Sequence, residues 1–321
     1  MQKTWNQARR GKAKPLKKYK LKKTCIVIAG PTAVGKTAAA IAIAKTFRTS
    51  IISADSRQCY REMNIGVAKP SAEQLHEVPH YFINSHSVTD VVNASVFEEY
   101  ALDSVQEIFR QNDVAVVTGG TGLYLKAFCE GLDDIPAISD AVKSKVKEGY
   151  AAGGLEWLKN EIRDADSDFF AHGEIGNPHR VMRALEVKLS TGNTLQSYQH
   201  QQPKQRPFQI IKIGLTLPKE ELNHRIEIRT DAMMEAGLAD EVKSLVHYRY
   251  LTALQTVGYS ELFEWLDGSL DFNTAVARIR TNTKQYAKRQ LTWFRKDKGY
   301  QWFSPFDQDQ LSGYLLTTLA K

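Results

Sequence analysis

The stretch from Cys25 to Thr37 limits what this 321-residue chain can fold into. Residues 25–29 are apolar and rich in β-branched side chains, which predicts a short buried strand. Gly30-Pro-Thr-Ala-Val-Gly-Lys-Thr37 then follows the pattern Gly-x-x-x-x-Gly-Lys-Thr, and residues 38–47 predict a helix rich in Ala and Ile. A loop with this pattern between a strand and a helix is typical of a phosphate site, and a chance loop of small residues is the alternative.

Each part of this loop has a physical role at a phosphate. Gly30 and Gly35 let the backbone turn its N–H groups toward phosphate oxygens, and the helix N-terminus adds a partial positive charge. The Lys36 ammonium reaches the terminal phosphates, and the Thr37 hydroxyl is placed to hold Mg²⁺. We therefore predict a diphosphate- or nucleotide-binding loop of eight residues: Gly30, Pro31, Thr32, Ala33, Val34, Gly35, Lys36 and Thr37.

Further strands continue the pattern of an α/β protein. Residues 50–53 predict a strand that ends just before Asp55, and residues 113–117 predict one that ends in the glycine turn 118–122. Residues 95–111 lie between them with apolar side chains at helical spacing. This alternation predicts a parallel, doubly wound sheet. Because such sheets place their chemistry at the carboxyl ends of the strands, Asp55 is a candidate acid or base, with a structural cap or turn as the alternative.

Residues 139–202 have a different character. They are helical and polar, contain two glycine breaks and show no strand pattern, so we predict an inserted all-helical subdomain. Arg180 and Arg183 share a helical face there, and a solvated face in which arginine pairs with Glu186 is the alternative. A strand pattern returns at residues 208–217.

Two later helices carry clusters of positive charge. Arg225 and Arg229 lie one turn apart on a predicted helix, which suits phosphate recognition, whereas a surface ion-pair lattice with Glu221 and Glu227 is the alternative. A long helix over residues 272–296 interleaves basic and aromatic side chains. That pattern is found on surfaces that bind nucleic acid. The alternative is an ordinary helix whose aromatic stripe packs in the core and whose basic face is solvated.

Residues 60–90 contain glycine, proline and many polar side chains, so we predict an irregular segment. Lys69, Pro70 and His80 are either ligand contacts or ordinary loop positions. The pattern does not choose between these two roles.

Charge is concentrated at the N-terminus. The net charge is +7, and residues 1–23 contain ten Lys or Arg and no acid, so the remainder carries 7 − 10 = −3. Such a block predicts a disordered tail that either helps to bind RNA or does nothing specific. A transit peptide is a weak alternative, since the stretch has no Ser and favours Lys over Arg.

The rest of the composition excludes two classes of protein. No apolar run approaches the roughly 20 residues that span a bilayer, which excludes a membrane protein. Three scattered cysteines, Cys25, Cys59 and Cys129, form no disulfide framework and no zinc spacing, so we expect a reducing, cytoplasmic setting.

An ordered set of motifs resembles the tRNA dimethylallyltransferases, which prenylate the adenosine beside the anticodon. The resemblance runs from about Thr24 to Trp302. The motifs are the phosphate loop, Ile52-Ser-Ala-Asp-Ser-Arg-Gln58, Ile65-Gly66, Ala68-Lys-Pro70, Gly119-Gly-Thr-Gly-Leu-Tyr124, Arg183-Ala-Leu-Glu186, Val257-Gly-Tyr259 and Ala287-Lys-Arg-Gln-Leu-Thr-Trp293.

The resemblance implies a function and a site. Dimethylallyl diphosphate, tRNA and Mg²⁺ are the expected partners, and N6-(dimethylallyl)adenosine at tRNA position 37 is the expected product. The implied catalytic residues are Asp55 as general base, Thr32 and Arg229. The implied tRNA-binding residues are Asp55, Ser56, Arg57, Gln58, Thr121, Lys143, His179, Arg180, Val181, Met182, Arg183, Gln255, Thr256, Val257, Gly258, Tyr259 and Ser260.

The implied architecture is α/β, a P-loop NTPase-like parallel sheet flanked by helices with the all-helical insert. We expect a core of residues 24–138 and 203–321 and an insert of residues 139–202 that contacts tRNA, in a monomer. Val67 and Lys143 depart from the Thr and Arg usual in that family. A prenyltransferase of free nucleotides and a non-catalytic RNA-binding module are the alternative functions, and the insert and the intact Lys36 respectively count against them.

Overall fold

A computed structural model describes residues 22–199 and 202–320. Its centre is a six-stranded parallel sheet with the order β3-β2-β4-β1-β5-β6. The predicted parallel sheet is therefore confirmed. The strands are β1 (Thr24–Ala29), β2 (Ile51–Ser53), β3 (His80–Tyr81), β4 (Val114–Gly119), β5 (Gln209–Leu215) and β6 (Gln301–Phe303).

Helices flank the sheet and fill a second unit. The chain separates into one compact unit that runs to Cys129 and resumes at Arg206, and another that spans Glu130–Gln205. The helices of the first unit are α1 (Lys36–Phe47), α2 (Ala72–Glu77), α3 (Ala94–Phe109), α4 (Gly122–Glu130, whose last residue opens the second unit), α8 (Lys219–Glu235), α9 (Leu238–Ser244), α10 (Ser260–Leu266), α11 (Phe272–Lys296) and α12 (Gln308–Leu319). Those of the second are α5 (Asp140–Ala165), α6 (Ser167–His172) and α7 (Pro178–Thr191).

Strand β1 lies at the centre of the sheet because its side chains are apolar or small and every one is buried. It pairs with β4 on one side and β5 on the other, with Ile26 opposite both Val116 and Ile211. A parallel strand covered by helices on both faces needs such a continuous apolar run. The loop that follows Ala29 therefore starts from the most firmly held strand of the sheet.

The second unit has its own apolar core, built from α5, α6 and α7 around side chains such as Leu158 and Val181. Helix α5 bends at Gly154, whose φ of 62° and ψ of −156° interrupt the helix where the sequence predicted a break. The unit extends beyond the predicted residues 139–202 at both ends. There the Lys204 N–H donates to the Glu130 carbonyl (2.7 Å), which holds its two ends together.

The sequence missed the short elements. Helix α2 and strand β3 lie within residues 60–90, where an irregular segment was predicted. Neither has a fully buried residue, so no apolar periodicity marks them. The signal for α2 is its capping box, in which Ser71 and Gln74 bond reciprocally.

The predicted basic tail lies outside the described residues as far as residue 21. Lys23, which was placed in that tail, belongs to the fold. Its ammonium donates to the Phe109 and Asn112 carbonyls, the latter at 2.8 Å, and pairs with Asp113 at 3.0 Å. The chain is therefore fixed one residue before β1 begins.

Gly119 ends β4 against the backbone that leads into Asp55. A Cβ added at Gly119 would lie 2.0 Å from the Ala54 carbonyl oxygen, and backbone cannot yield as a flexible side chain does. We predict that Gly119→Ala lowers the free energy of unfolding by about 1–3 kcal/mol, measured by chemical denaturation. Gly313→Ala is the matched control, since that exposed helical glycine has nothing within 4 Å of an added Cβ. It should be neutral or slightly stabilising, and equal effects of the two substitutions would contradict the prediction.

Candidate active site

The loop between β1 and α1 has the geometry of a phosphate cradle. Gly35 has a φ of 105°, a conformation that favours glycine, and no side chain caps the first turn of α1. A Cβ at Gly30 would lie 2.7 Å from the Leu215 carbonyl oxygen, so glycine is also required there. The first turn of α1 opens into a cavity of about 520 Å³. Uncapped backbone N–H groups at a helix N-terminus attract anions.

Lys36 is half-buried in the wall of this cavity. Its ammonium donates to the Pro31 carbonyl (2.8 Å), within its own loop. Burial lowers the pKa of Lys36 to about 8, the negative charge of Asp55 opposes this shift and the positive charge of Arg229 adds to it. A bound anion would supply a negative charge to pair with the Lys36 ammonium.

Arg225 and Arg229 lie one turn apart on α8, and both line the same cavity. Burial lowers the pKa of Arg229 and the charge of Asp55 opposes that shift. Among the described residues neither arginine has a carboxylate within ion-pair distance. Glu227 pairs with Lys284 instead (2.6 Å), so the alternative of an ion-pair lattice on α8 is not formed by these arginines.

Asp55 has the structural role that the sequence left open, and one of its oxygens takes no part in that role. Its Oδ1 accepts the N–H groups of Arg57 (2.9 Å) and Gln58 (3.3 Å), which closes a turn after β2. Its Oδ2 has no hydrogen-bond partner within the described chain. The same carboxylate raises the pKa of the neighbouring Lys36 and Arg229 relative to burial alone. One oxygen holds the turn and the other is available.

A second cavity, of about 580 Å³, adjoins the first. Five residues line both cavities and therefore form a common boundary between them: Thr32, Asp55, Val67, Arg229 and Tyr286. This boundary includes all three residues that the resemblance implied to be catalytic. It joins a cation-rich cavity to one with mixed polar and apolar walls.

Most of the predicted tRNA-binding residues near Asp55 lie at the second cavity. Its lining includes Ser56, Arg57, the segment Gln255–Gly258 and Ser260. Gln58 lines the first cavity instead. The Thr121 hydroxyl accepts the Ser56 N–H (3.1 Å) and so supports the wall from behind.

Tyr259 has a different place from its neighbours. Its side chain is fully buried, and its hydroxyl donates to Glu241 (2.5 Å). Glu241 also accepts the N–H groups of residues 64–66, and a Cβ at Gly66 would lie 2.5 Å from the Tyr259 ring. A direct side-chain contact with tRNA is not open to Tyr259. The Ile65-Gly66 and Val257-Gly-Tyr259 motifs instead bond to Glu241 of α9, which holds one wall of the second cavity in place.

The remaining predicted tRNA-binding residues lie in the second unit. Lys143 is exposed and pairs with Asp140 (2.9 Å), and His179 and Arg180 are exposed at the start of α7. Arg180 pairs with Glu174 (2.5 Å) and Arg183 with Glu186 (3.7 Å), so the alternative of a paired, solvated face is realised. Val181 is buried in the core of the unit and Met182 packs against that core. The buried Val181 side chain is not placed for a direct RNA contact, whereas Met182 is partly exposed.

Helix α11 contributes residues that the sequence did not single out. Tyr286 and Gln290 line the first cavity, and Tyr286 and Arg289 line the second. Burial, reinforced by the charge of Asp55, raises the pKa of Tyr286 to about 12. The available signal was the Ala287–Trp293 motif, which pointed to this helix but not to these roles.

Lys69 and His80, the candidates from the irregular segment, have different roles. The Lys69 ammonium donates to the Tyr60 carbonyl (2.5 Å) and to the side chains of Asn64 and Asn84, so it fixes the loop. His80 and Pro70 line the far end of the first cavity. The structure therefore assigns Lys69 to the loop and the other two to the cavity wall.

The lowered pKa of Lys36 generates a prediction for anion binding. Because Lys36 loses its proton as pH rises through about 8, affinity for inorganic pyrophosphate should fall above that pH. Lys36→Met keeps the length of the side chain without charge, so the ligand's own ionisation cancels in the ratio of the two affinities. We expect this ratio to fall by about tenfold per pH unit above 8, measured by calorimetry between pH 7 and 9.5. A constant ratio would exclude Lys36 from anion binding.

Comparison with known proteins assigns this chain to a family. The model of the IPP transferase family matches residues 58–297. tRNA dimethylallyltransferase 1 of Bacteroides thetaiotaomicron is 44% identical over 292 residues, 91% of this chain and 95% of that protein. tRNA dimethylallyltransferase of Cytophaga hutchinsonii is 42% identical over 301 residues, 94% and 99% of the two chains.

Solved structures agree with this assignment. The full-length tRNA isopentenylpyrophosphate transferase of Bacillus halodurans superimposes with a TM-score of 0.69 at 33% identity, over 93% of this chain and 97% of that one. A eukaryotic dimethylallyltransferase acting on tRNA gives a TM-score of 0.74 at 26% identity, over 90% and 75% of the two chains. Since the family model covers most of the chain and the relatives align with it nearly end to end, the chain belongs to the IPP transferase family.

Proposed function

We propose that this protein transfers a dimethylallyl group from dimethylallyl diphosphate to the N6 amine of adenosine 37 of tRNA. The products are N6-(dimethylallyl)adenosine and diphosphate. The observation that carries the proposal is the common boundary, where the carboxylate of Asp55 lies between a phosphate cradle and a second cavity. The names of the relatives support the transfer of a dimethylallyl group to tRNA.

The first cavity suits the diphosphate of the donor. Breaking the bond between the allylic carbon and oxygen leaves its electron pair on the diphosphate, so negative charge grows there. Lys36, Arg225 and Arg229 line this cavity with the first turn of α1. Fixed cations and N–H groups aimed at growing negative charge lower the barrier without rearranging during the reaction.

The second cavity suits the target base. An adenine stacked in an anticodon loop is out of reach, so it must be extruded into a pocket. Polar groups of Asn282, Thr283 and the Gln255–Gly258 segment line this cavity, with Ile226 and Met233 as apolar surface. Arg57 and Arg289 add positive charge to the same lining, which suits the flanking RNA phosphates.

The chemistry then follows from the boundary. The N6 lone pair forms the bond to the allylic carbon as the carbon–oxygen bond breaks, and N6 must lose one proton. Asp55 Oδ2 is the acceptor, because Oδ1 already accepts two backbone N–H groups. A poor nucleophile such as an aromatic amine gains most from a carboxylate in hydrogen-bond reach.

We also propose that Mg²⁺ accompanies the diphosphate. Among the described residues no group of three or more His, Cys, Asp or Glu could hold a metal ion. Mg²⁺ often binds through one or two protein oxygens and substrate phosphates, which fits the Thr37 hydroxyl in the first turn of α1. When bound, Mg²⁺ would neutralise part of the diphosphate charge.

The setting of the reaction is part of the proposal. In the described chain no helix is both long and apolar enough to span a bilayer. We propose a cytoplasmic enzyme that acts as a monomer, since residues of a single chain enclose both cavities. The second unit, with His179 and Arg180 exposed, is proposed to contact the tRNA.

Labelled dimethylallyl diphosphate with Mg²⁺ and either tRNA or AMP tests the proposal. Transfer to tRNA and not to AMP is the expected result. Transfer to AMP alone would indicate an enzyme of free nucleotides. Binding of tRNA without any transfer would indicate a non-catalytic RNA-binding protein.

Asp55→Asn tests the assignment of the base. Asn keeps an oxygen for the turn after β2 but does not take up a proton at neutral pH, so folding and binding should persist. We predict that single-turnover transfer falls about a hundredfold to ten-thousandfold. Thermal unfolding and donor affinity are measured on the same variant. Near-normal transfer, or a loss that tracks stability or donor affinity, would remove Asp55 from the mechanism.

A further inference from the structure

Gln290 joins two loops that lie far apart along the chain, one after β1 and one after β4. It lies on α11 with only 7% of its surface exposed. Its side-chain oxygen accepts the Thr32 N–H (2.8 Å) in the phosphate loop, and its side-chain NH₂ donates to the Gly120 carbonyl (2.8 Å) in the loop after β4. We propose that Gln290 is a positioning residue that sets the place of the diphosphate relative to Asp55. This inference rests on the proposed function.

The residue type follows from the two groups it meets. One loop offers an N–H and the other a carbonyl, so a single side chain must accept and donate at once, and an amide does both. The two loops leave neighbouring strands, since Ala29 of β1 lies opposite Gly119 of β4. A buried amide that bridges them therefore fixes their separation at the carboxyl edge of the sheet.

The absence of a side chain at Gly120 leaves room for the Gln290 amide. A Cβ at Gly120 would lie 2.3 Å from Gln290 Nε2 and 3.6 Å from Lys36 Nζ. Glycine at this position thus lets the amide reach the backbone beside the Lys36 ammonium. Gly120, Lys36 and Gln290 all line the first cavity, so the bridge forms part of its wall.

The bridge has a consequence for Thr32. Holding its N–H fixes the backbone at the residue whose side chain lines both cavities. Without the bridge, the cations and the first turn of α1 would still bind diphosphate. The allylic carbon would lose its alignment between the attacking N6 amine, which Asp55 deprotonates, and the leaving oxygen. Loss of Gln290 should therefore slow transfer more than it weakens donor binding, since misalignment lowers rate at unchanged charge.

Gln290→Met and Gln290→Glu separate these effects. Met keeps the volume of the side chain but neither accepts nor donates, and we expect single-turnover transfer to fall about tenfold to a hundredfold. Glu accepts from Thr32 but repels the Gly120 carbonyl while ionised. A protonated Glu donates again, so transfer by Gln290→Glu, relative to wild type, should recover as pH is lowered from 8 to 6. Gln290→Met should show no such recovery. The donor dissociation constant of Gln290→Met should stay within about threefold of wild type. The ionised carboxylate of Gln290→Glu also repels a diphosphate, so the rates of that variant are compared at saturating donor.

Gln285 supplies the matched control, since it is an exposed glutamine on the same helix and lines neither cavity. Gln285→Met and Gln285→Glu should behave as wild type. Hydrogen exchange gives a readout independent of the reaction: residues 30–37 and 118–122 should exchange faster in Gln290→Met and not in Gln285→Met.

The outcomes are distinguishable. Donor affinity of Gln290→Met that falls in parallel with its rate of transfer would make Gln290 a donor-binding residue and overturn the positioning role. An unchanged exchange rate in both loops, or a Gln290→Glu variant whose relative rate ignores pH, would also overturn it. Absence of transfer by the wild-type protein would instead overturn the proposed function, while the exchange result would still report on the bridge.

Discussion

The fit of Gly119 against the Ala54 carbonyl is the constraint on which the site depends. Strand β4 lies between β1, which leads to the phosphate loop, and β2, which leads to Asp55. Any side chain at Gly119 would push the Asp55 turn away from the edge where the loops converge. The position of the boundary between the two cavities therefore depends on the order of the strands. Helices α8 and α11 contribute Arg229 and Tyr286 to the same boundary. Parallel strands place all their carboxyl ends at one edge, which makes such a junction available.

Charge at this edge is arranged unevenly. Many arginines and lysines elsewhere have a carboxylate partner, as in the pairs Lys284–Glu227 and Arg206–Glu98. The cations at the first cavity have none within the described chain, apart from the influence of Asp55. Holding unpaired cations together in a partly dry site costs stability, and the lowered pKa of Lys36 reflects that cost. An anionic ligand removes it, which favours a doubly charged donor group over a neutral one.

Local patterns predicted the fold and two parts of the candidate site, the phosphate loop and Asp55. The phosphate loop and Asp55 follow buried strands whose apolar residues are contiguous, so strand, loop and acid can be placed from short stretches of sequence. Gln290 could not be placed in this way, because it meets Thr32 across 258 residues of chain and the contact depends on how α11 crosses the sheet edge. Lys69 shows a choice that the sequence left open. A lysine beside proline in a polar loop suits either a ligand contact or a loop position, and in the structure oxygens of the loop itself accept from its ammonium.

Val67 shows how a departure from the family pattern can leave the site intact. It is nearly buried, 8% exposed, and lies at the boundary with Tyr286, so these two supply the larger apolar surfaces where a five-carbon group would pass between the cavities. Val and Thr have nearly the same shape, and the exchange therefore keeps the volume of the boundary while removing one hydroxyl. Thr32 still supplies a hydroxyl to the same boundary. The boundary thus keeps an apolar wall of similar shape beside Asp55 without the hydroxyl that Val67 lacks.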